Sequence, residues 1–222
     1  MKAYRLLIEI MFFVCLSSFF ISYCLYKQQN SFWLTVLLGI FASGFVLLID
    51  GIINFLVIRR KTLSQIYIKF NEFYWIQRDF LIYSSTAGGG KLKPVKILKI
   101  NPKIFEPNNV RNNIYELKKM GYELNELFKN IESFKFEKIN KILKEIEDLL
   151  SIFQKKLDEK DEYIKLCHVT YPTLSDEYIN EMRSFYEDGT EDLEIILCKL
   201  EDLAEKYLQI PKIIENVEHD EI

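Results

Sequence analysis

The stretch FVLLIDGIINFLVIRRK, Phe45 to Lys61, sets an aspartate inside an otherwise apolar helical run and closes that run with three basic residues. The run reaches back to Phe32, so Phe32–Ile58 makes 27 residues, and an earlier run, Leu6–Tyr26, supplies 21. Both exceed the roughly 18 residues at which an apolar stretch becomes a transmembrane candidate. Phe32–Ile58 holds 18 Phe, Leu, Val and Ile residues. Each favours insertion by about 0.3–0.6 kcal/mol, against about 2.5–3.5 kcal/mol opposed by one central Asp. The span therefore tolerates Asp50 without explaining it.

Average composition conceals this front. The chain has 222 residues, 49% hydrophobic, with a mean hydropathy near zero, which is ordinary for a soluble protein. Of its 29 basic and 32 acidic residues, five and two fall in residues 1–60, a net +3. Residues 61–222 keep 24 and 30, a net −6. The apolar residues are concentrated first and the charges afterwards.

A secretory signal is the competing reading of the first run, with MKAYR as its basic n-region. Glu9 would interrupt the apolar core of such a signal, and no small-x-small cleavage site follows. Neither Cys15, preceded by FFV, nor Cys24, preceded by ISY, has the small residue of a lipoprotein cleavage site. The run is read as a retained helix, and the short link KQQNS makes an antiparallel membrane hairpin. Lys2 and Arg5 precede the first span, Lys27 alone lies in the link, and Arg59, Arg60 and Lys61 follow the second. By the positive-inside rule both termini are expected in the cytoplasm, with Tyr23, Tyr26, Phe32 and Trp33 at the outer headgroup level. Cys167 and Cys198 would then face a reducing cytosol, and no structural disulfide is expected.

Asp50 lies nine residues from Arg59, about 13 Å of helix, which places it well inside the cytoplasmic half of the span. Glu9 lies four residues from Arg5, about 6 Å deep, and no buried base is expected beside either acid. Gly39, Ser43, Val46 and Asp50 share one helix face. Gly39 and Ser43, with Gly44 beside them, form a small surface on which helix backbones can approach closely. Such a stripe should face protein or water, because lipid leaves the acid unsatisfied. Asp50, Glu9 and Ser43 are accordingly the candidates for an intramembrane polar pathway, and Gly39, Ser43 and Gly44 for helix packing. The plainer alternative is a protonated Asp50 bridging helices by hydrogen bonding and a Glu9 that reaches the interface.

Beyond the spans, Ile66, Phe70, Phe73, Ile76 and Phe80 recur at helical spacing, as an extension of the second span, an interfacial helix or a buried core helix. Residues 83–107 hold Gly88, Gly89, Gly90, Pro94, Pro102 and Pro107 and are expected to be a flexible linker, with one short strand possible at Val95–Ile100. Gly90-Lys91 does not complete a phosphate loop, since Leu92 and Ser85 stand where Ser/Thr and Gly are needed. Arg59, Arg60, Lys61, Lys91, Lys93, Lys96 and Lys99 are candidates for anionic headgroups, at about 1 kcal/mol per charge near the surface, with Lys103 completing the series. The acidic remainder argues against nucleic acid as a partner.

Two apolar seams follow. Val110, Ile114, Leu117, Gly121, Leu124, Phe128 and Ile131 form the first, and Phe136, Ile139, Leu143, Ile146, Leu150, Phe153 and Leu157 the second. Their spacing predicts an antiparallel helical hairpin with coiled-coil-like packing, and Ile142, Leu149 and Ile152 widen the second face toward a further neighbour. Thr173 to Asp176 fits a capping box, with Leu174, Tyr178, Met182 and Phe185 directed inward; Asp188-Gly189 is expected to break that helix. Thr190 would cap a last helix carrying Leu193, Leu197, Leu200, Ala204 and Leu208.

No catalytic residue, cofactor site or metal site is expected. Cys167 and His168 are adjacent, so on a helix they point about 100° apart and make no nucleophile–base pair. His219 lies in the tail, and DEKDEY from Asp158 lacks the glycine and ligand pattern of a calcium loop.

The expectation is an all-α membrane protein: a transmembrane hairpin in 1–60 (spans about 6–26 and 32–58), a juxtamembrane amphipathic helix in 61–82, the basic linker, a cytosolic helical bundle in 108–210 and an acidic tail in 211–222. In architecture alone this resembles small membrane effectors of bacterial antiviral or toxin systems, which implies a bacterial inner membrane location. The function expected is an oligomeric, channel-like effector whose cytosolic helices drive assembly or sense a partner. The alternative is a membrane-anchored scaffold that recruits a cytosolic protein without conductance. Its partners are then the lipid bilayer, further copies of the chain and, for a scaffold or sensor, a cytosolic protein.

Overall fold

A computed structural model describes residues 1–27, 31–82, 102–134, 137–166 and 174–208. The chain is all-α there. Its elements are α1 (Lys2–Lys27), α2 (Ser31–Ile82), a 3-10 turn (Pro102–Phe105), α3 (Pro107–Lys129), α4 (Ile139–Leu166) and α5 (Asp176–Leu208). The possible strand at 95–100, the glycine run, Cys167, His168 and the tail lie outside the described residues. The chain divides into two compact units, Met1–Leu63 with Asn130–Glu137, and Ser64–Lys129 with Lys138–Ile222.

The first unit is built on α1 and the first part of α2. No proline interrupts either helix, and long apolar side chains hold both in helical geometry. The two run antiparallel: Gly51 lies against Ile8, Gly44 against Cys15, and the Phe19 and Phe41 rings are 6.1 Å apart. Both helices are long and apolar enough to cross a membrane, and only 22% and 11% of their most apolar windows are buried within the chain. A core helix of a soluble protein would be mostly buried instead.

The second unit is a four-helix bundle in which the remainder of α2 is the first member. Its Ile66, Tyr67, Phe70, Phe73, Tyr74 and Gln77 are buried. Of the three readings open for this segment, the structure therefore has a continuation of α2 that is also a core helix. Lys69 pairs with Glu123, and Asn113 donates to the Ile76 carbonyl, which sets α3 antiparallel to α2. Lys118 with Asp161 and Asn125 with Gln154 set α4 antiparallel to α3. Tyr163 stacked on Tyr178 and Lys199 paired with Glu145 set α5 antiparallel to α4. Tyr74 donating to Glu194 at 2.7 Å returns α5 to α2. The result is an up-down-up-down square.

Both seams form this core. Every member of the first from Val110 to Phe128, and of the second from Ile139 to Leu157, is buried, with Ile131 half-buried and Phe136 outside the described residues. Phe73 meets Phe153 edge-on at 5.6 Å, and Phe80 stacks on Tyr186 at 4.2 Å. Each such side chain contributes about 1.5–3 kcal/mol on burial. Ile142 and Leu149 are half-buried, whereas Ile152 is exposed.

Three local expectations are corrected. The N–H of Tyr178 donates to Ser175 Oγ at 3.2 Å, so Ser175 is the N-cap of α5. Asp188-Gly189 does not break the helix, because α5 runs through it to Leu208. Gly189 is there for room: a Cβ would lie 2.5 Å from Gln77 Nε2 and 3.0 Å from Phe153 Cε2. Thr190, expected to cap a new helix, donates to the Tyr186 carbonyl one turn back at 2.8 Å.

Gly189→Ala is therefore expected to destabilise the bundle by about 1–3 kcal/mol through overpacking against the buried Gln77 and Phe153, where an exposed helix site would gain about 1 kcal/mol. Denaturant titration of the solubilised protein reads the sign.

Burial raises the phenol of Tyr186 well above its usual range. Burial, then the hydrogen bond to Glu194, raises that of Tyr74; burial and the charge of Glu201 raise that of Tyr67. The fold holds these phenols neutral, so their contribution is complete below an unfolded pKa of about 10 and is lost as pH rises above it, by up to about 1.4 kcal/mol per pH unit for each. Denaturation midpoints should fall between pH 9 and 11, and Tyr186→Phe should flatten that fall.

Candidate functional site

Two faces of α2 have distinct surroundings in the first unit. One is the seam with α1, where a Cβ on Gly44 would lie 3.2 Å from Cys15 Sγ and one on Gly51 would lie 3.3 Å from Ile8 Cγ1. Such tight spacing favours residues without side chains. Cys15 Sγ also points at the Phe41 carbonyl, 4.0 Å away. Phe55 and Arg59 continue this seam as buried residues.

The other face carries Gly39, Ser43, Val46 and Asp50. On a helix of 3.6 residues per turn it lies roughly 150° around from the seam. Gly39 has no atom within 4 Å of a built Cβ, Val46 is 65% exposed, and Ser43 and Asp50 are exposed. Asp50 makes no hydrogen bond or ion pair among the described residues. Of the three small residues named for packing, Gly44 thus belongs to the seam with α1, while Gly39 and Ser43 belong to the open face.

Glu9 has a different environment. Its carboxylate accepts from the half-buried Arg5, whose Nε lies 3.1 Å away one helical turn back. Arg5 also donates to Glu132 at 2.9 Å. Glu132 belongs to the connector between α3 and α4, which supplies a second carboxylate: Arg59 donates to both oxygens of Glu137 at 2.7 and 2.9 Å. The same carboxylate accepts the N–H of Phe134, whose ring lies 5.3 Å from Phe55. Arg59 in turn stands over the Phe55 ring at 5.4 Å. Two arginines, two glutamates and two phenylalanines thus clasp the connector to the base of the hairpin.

This clasp was not legible in the sequence. Arg5 and Glu132 are 127 residues apart, and no periodicity joins them. The available signal was the connector ESFKFEK itself, in which acids flank phenylalanines. Of the basic residues named for a membrane surface, Arg59 is buried in the clasp, Arg60 and Lys61 are exposed on α2, and Lys91, Lys93, Lys96 and Lys99 lie outside the described residues. Among the described residues no group of three or more His, Cys, Asp or Glu could hold a metal ion.

The chain matches no family model, and comparison with curated proteins and with solved structures finds no match. Its residues alone bear on its function.

Glu137→Gln replaces a charge-assisted pair of hydrogen bonds with a neutral contact while Arg59 stays buried. Opening of residues 130–137 should become easier by about 1–3 kcal/mol. Limited proteolysis of the solubilised protein is expected to nick that connector roughly tenfold or more faster, and Arg59→Met with Glu137→Met should restore part of the protection.

Proposed function

We propose that the chain is an oligomeric inner-membrane effector, a channel-like assembly in which α1 and α2 span the bilayer twice and copies meet on the open face of α2. Among the described residues, 23 of the 29 exposed large apolar side chains lie between Leu6 and Val57. That surface is far larger than water tolerates on a soluble monomer, and lipid covers it without cost. Lys2, Arg5, Arg59, Arg60 and Lys61 gather at one end of the hairpin, the arrangement that retains both termini on the cytoplasmic side.

The single observation carrying the reading is Asp50. It lies on the apolar part of α2, exposed and unpaired among the described residues, on the face turned away from α1. In lipid that position is costly, and the remedies are a protein neighbour or a water-filled path. Two spans enclose no path, so both remedies require further copies. Gly39 and Ser43 on the same face allow close approach.

Reconstitution tests this. The solubilised complex, with bound lipid subtracted, should have the mass of four or more chains. Liposomes containing it should conduct ions, and Asp50→Asn should change the flux at least tenfold with the mass unchanged. A monomer, or an assembly without conductance, would sink the channel and leave the hairpin as the anchor of a scaffold.

A further inference from the structure

The inner face of α3 is used up in the core, but its outer face is not an ordinary solvated one. Asn108, Arg111, Tyr115, Lys118 and Tyr122 recur there at steps of three and four and, with Lys119, form one wall of a cavity of about 830 Å³. The end of α4 lines its other side with Asp161 and Lys165, and the cavity stays open to solvent. All of these residues belong to the four-helix bundle, so the cavity is independent of whether α1 and α2 cross a membrane. The volume is within the range of small-molecule sites, about 300–1,000 Å³.

Charge inside the cavity is unbalanced. Four cations line it against two carboxylates, Glu123 and Asp161. Both carboxylates are already engaged: Glu123 by Lys69, and Asp161 by Lys118 at 3.2 Å and Lys165 at 2.8 Å. Burial raises the Asp161 carboxyl, yet the two lysines outweigh it and hold the group ionised. Although the charge of Lys119 joins Lys69 in holding Glu123 ionised, Arg111 and Lys119 make no hydrogen bond or ion pair within 4 Å among the described residues. They lie eight residues apart on α3, about 12 Å along its axis, with Tyr115 midway. The first turn of α3 carries no acid that would compete for an anion.

The aromatic residues narrow the ligand. Tyr115 is 71% and Tyr122 67% exposed, although each ring has an apolar face that burial would favour. Cations alone would suit inorganic phosphate or a lipid headgroup. Neither would use two ring platforms, one between those cations and one beside them. A flat ring joined to phosphate uses both, by stacking on tyrosine while arginine and lysine hold the phosphate oxygens. We propose that the cavity between the outer face of α3 and the end of α4 binds a nucleotide, its base on Tyr115 or Tyr122 and its phosphates on Arg111 and Lys119.

The test uses the full-length solubilised chain, with fluorescently labelled ATP, GTP and UTP as direct probes and inorganic pyrophosphate and short-chain phosphatidic acid as competitors. At least one nucleotide should bind with micromolar to sub-millimolar affinity, and pyrophosphate should compete at least tenfold more weakly. Arg111→Ala with Lys119→Ala should weaken the nucleotide at least tenfold. Tyr115→Ala with Tyr122→Ala should weaken it similarly while leaving pyrophosphate unchanged. These side chains lie on the outer face, and far-UV circular dichroism checks that each variant keeps its helices. The proposal is overturned if no nucleotide binds at millimolar concentration, if pyrophosphate or the lipid competes as well as the nucleotide, or if folded variants bind as the parent does.

Discussion

The structure depends on α2 remaining one helix from Ser31 to Ile82 while its environment changes along its length. Its backbone groups are satisfied within the helix throughout, so the side chains alone decide what each stretch can face. From Phe32 to Val57 they are apolar nearly all round and mostly exposed. From Leu63 to Gln77 a single stripe is buried, and Lys69 and Glu72 keep the other side polar. The transition falls at Arg59, Arg60 and Lys61. No proline or glycine pair interrupts the helix there.

The clasp shows how the transition is handled. An arginine as buried as Arg59 needs a partner with matching geometry, and the carboxylate of Glu137 supplies two acceptors to one guanidinium nitrogen. Arg5, less buried, divides its donors between Glu9 on its own helix and Glu132 on the connector. Phe134 against Phe55 adds apolar contact beside the charges, which lowers the local dielectric and strengthens them. Deleting one partner therefore costs more than deleting both, because an unpaired charge is left behind.

What the sequence disclosed follows from which signals are periodic. The seams Val110–Phe128 and Ile139–Leu157 were legible because burial on one helix face repeats every three or four residues, and the same period marks Ile66–Phe73. Gly189 misled because glycine both ends helices and admits close neighbours, and only the positions of Gln77 and Phe153 distinguish the two uses. Two sets of small residues lie on α2, Gly39 with Ser43 and Gly44 with Gly51, and spacing alone does not tell which one meets α1. Glu132 and Glu137 carried no periodic pattern, only their place beside the phenylalanines of the connector. Polar partners distant in sequence leave no periodic trace, and the same is true of the α3 outer face, where alternating cations and tyrosines pass for a solvated surface.

Under the membrane reading, the remaining physical question is where the Asp50 carboxyl finds hydrogen bonds. A two-fold pair of chains would bury the Gly39–Asp50 face against itself, because a two-fold contact uses the same patch on both copies. Two carboxyls meeting across that axis in a dry environment would find their hydrogen bonds in each other, which makes them glue rather than a pathway. A ring of four or more copies uses two different flanks of each hairpin, so the stripe is only partly covered and its remaining edge lines the axis. There water would supply the hydrogen bonds that the carboxyl lacks within one chain. The distinction between packing and conduction thus reduces to how many copies surround one stripe, and the seam with α1, already closed by Gly44 and Gly51, leaves that stripe open to either arrangement.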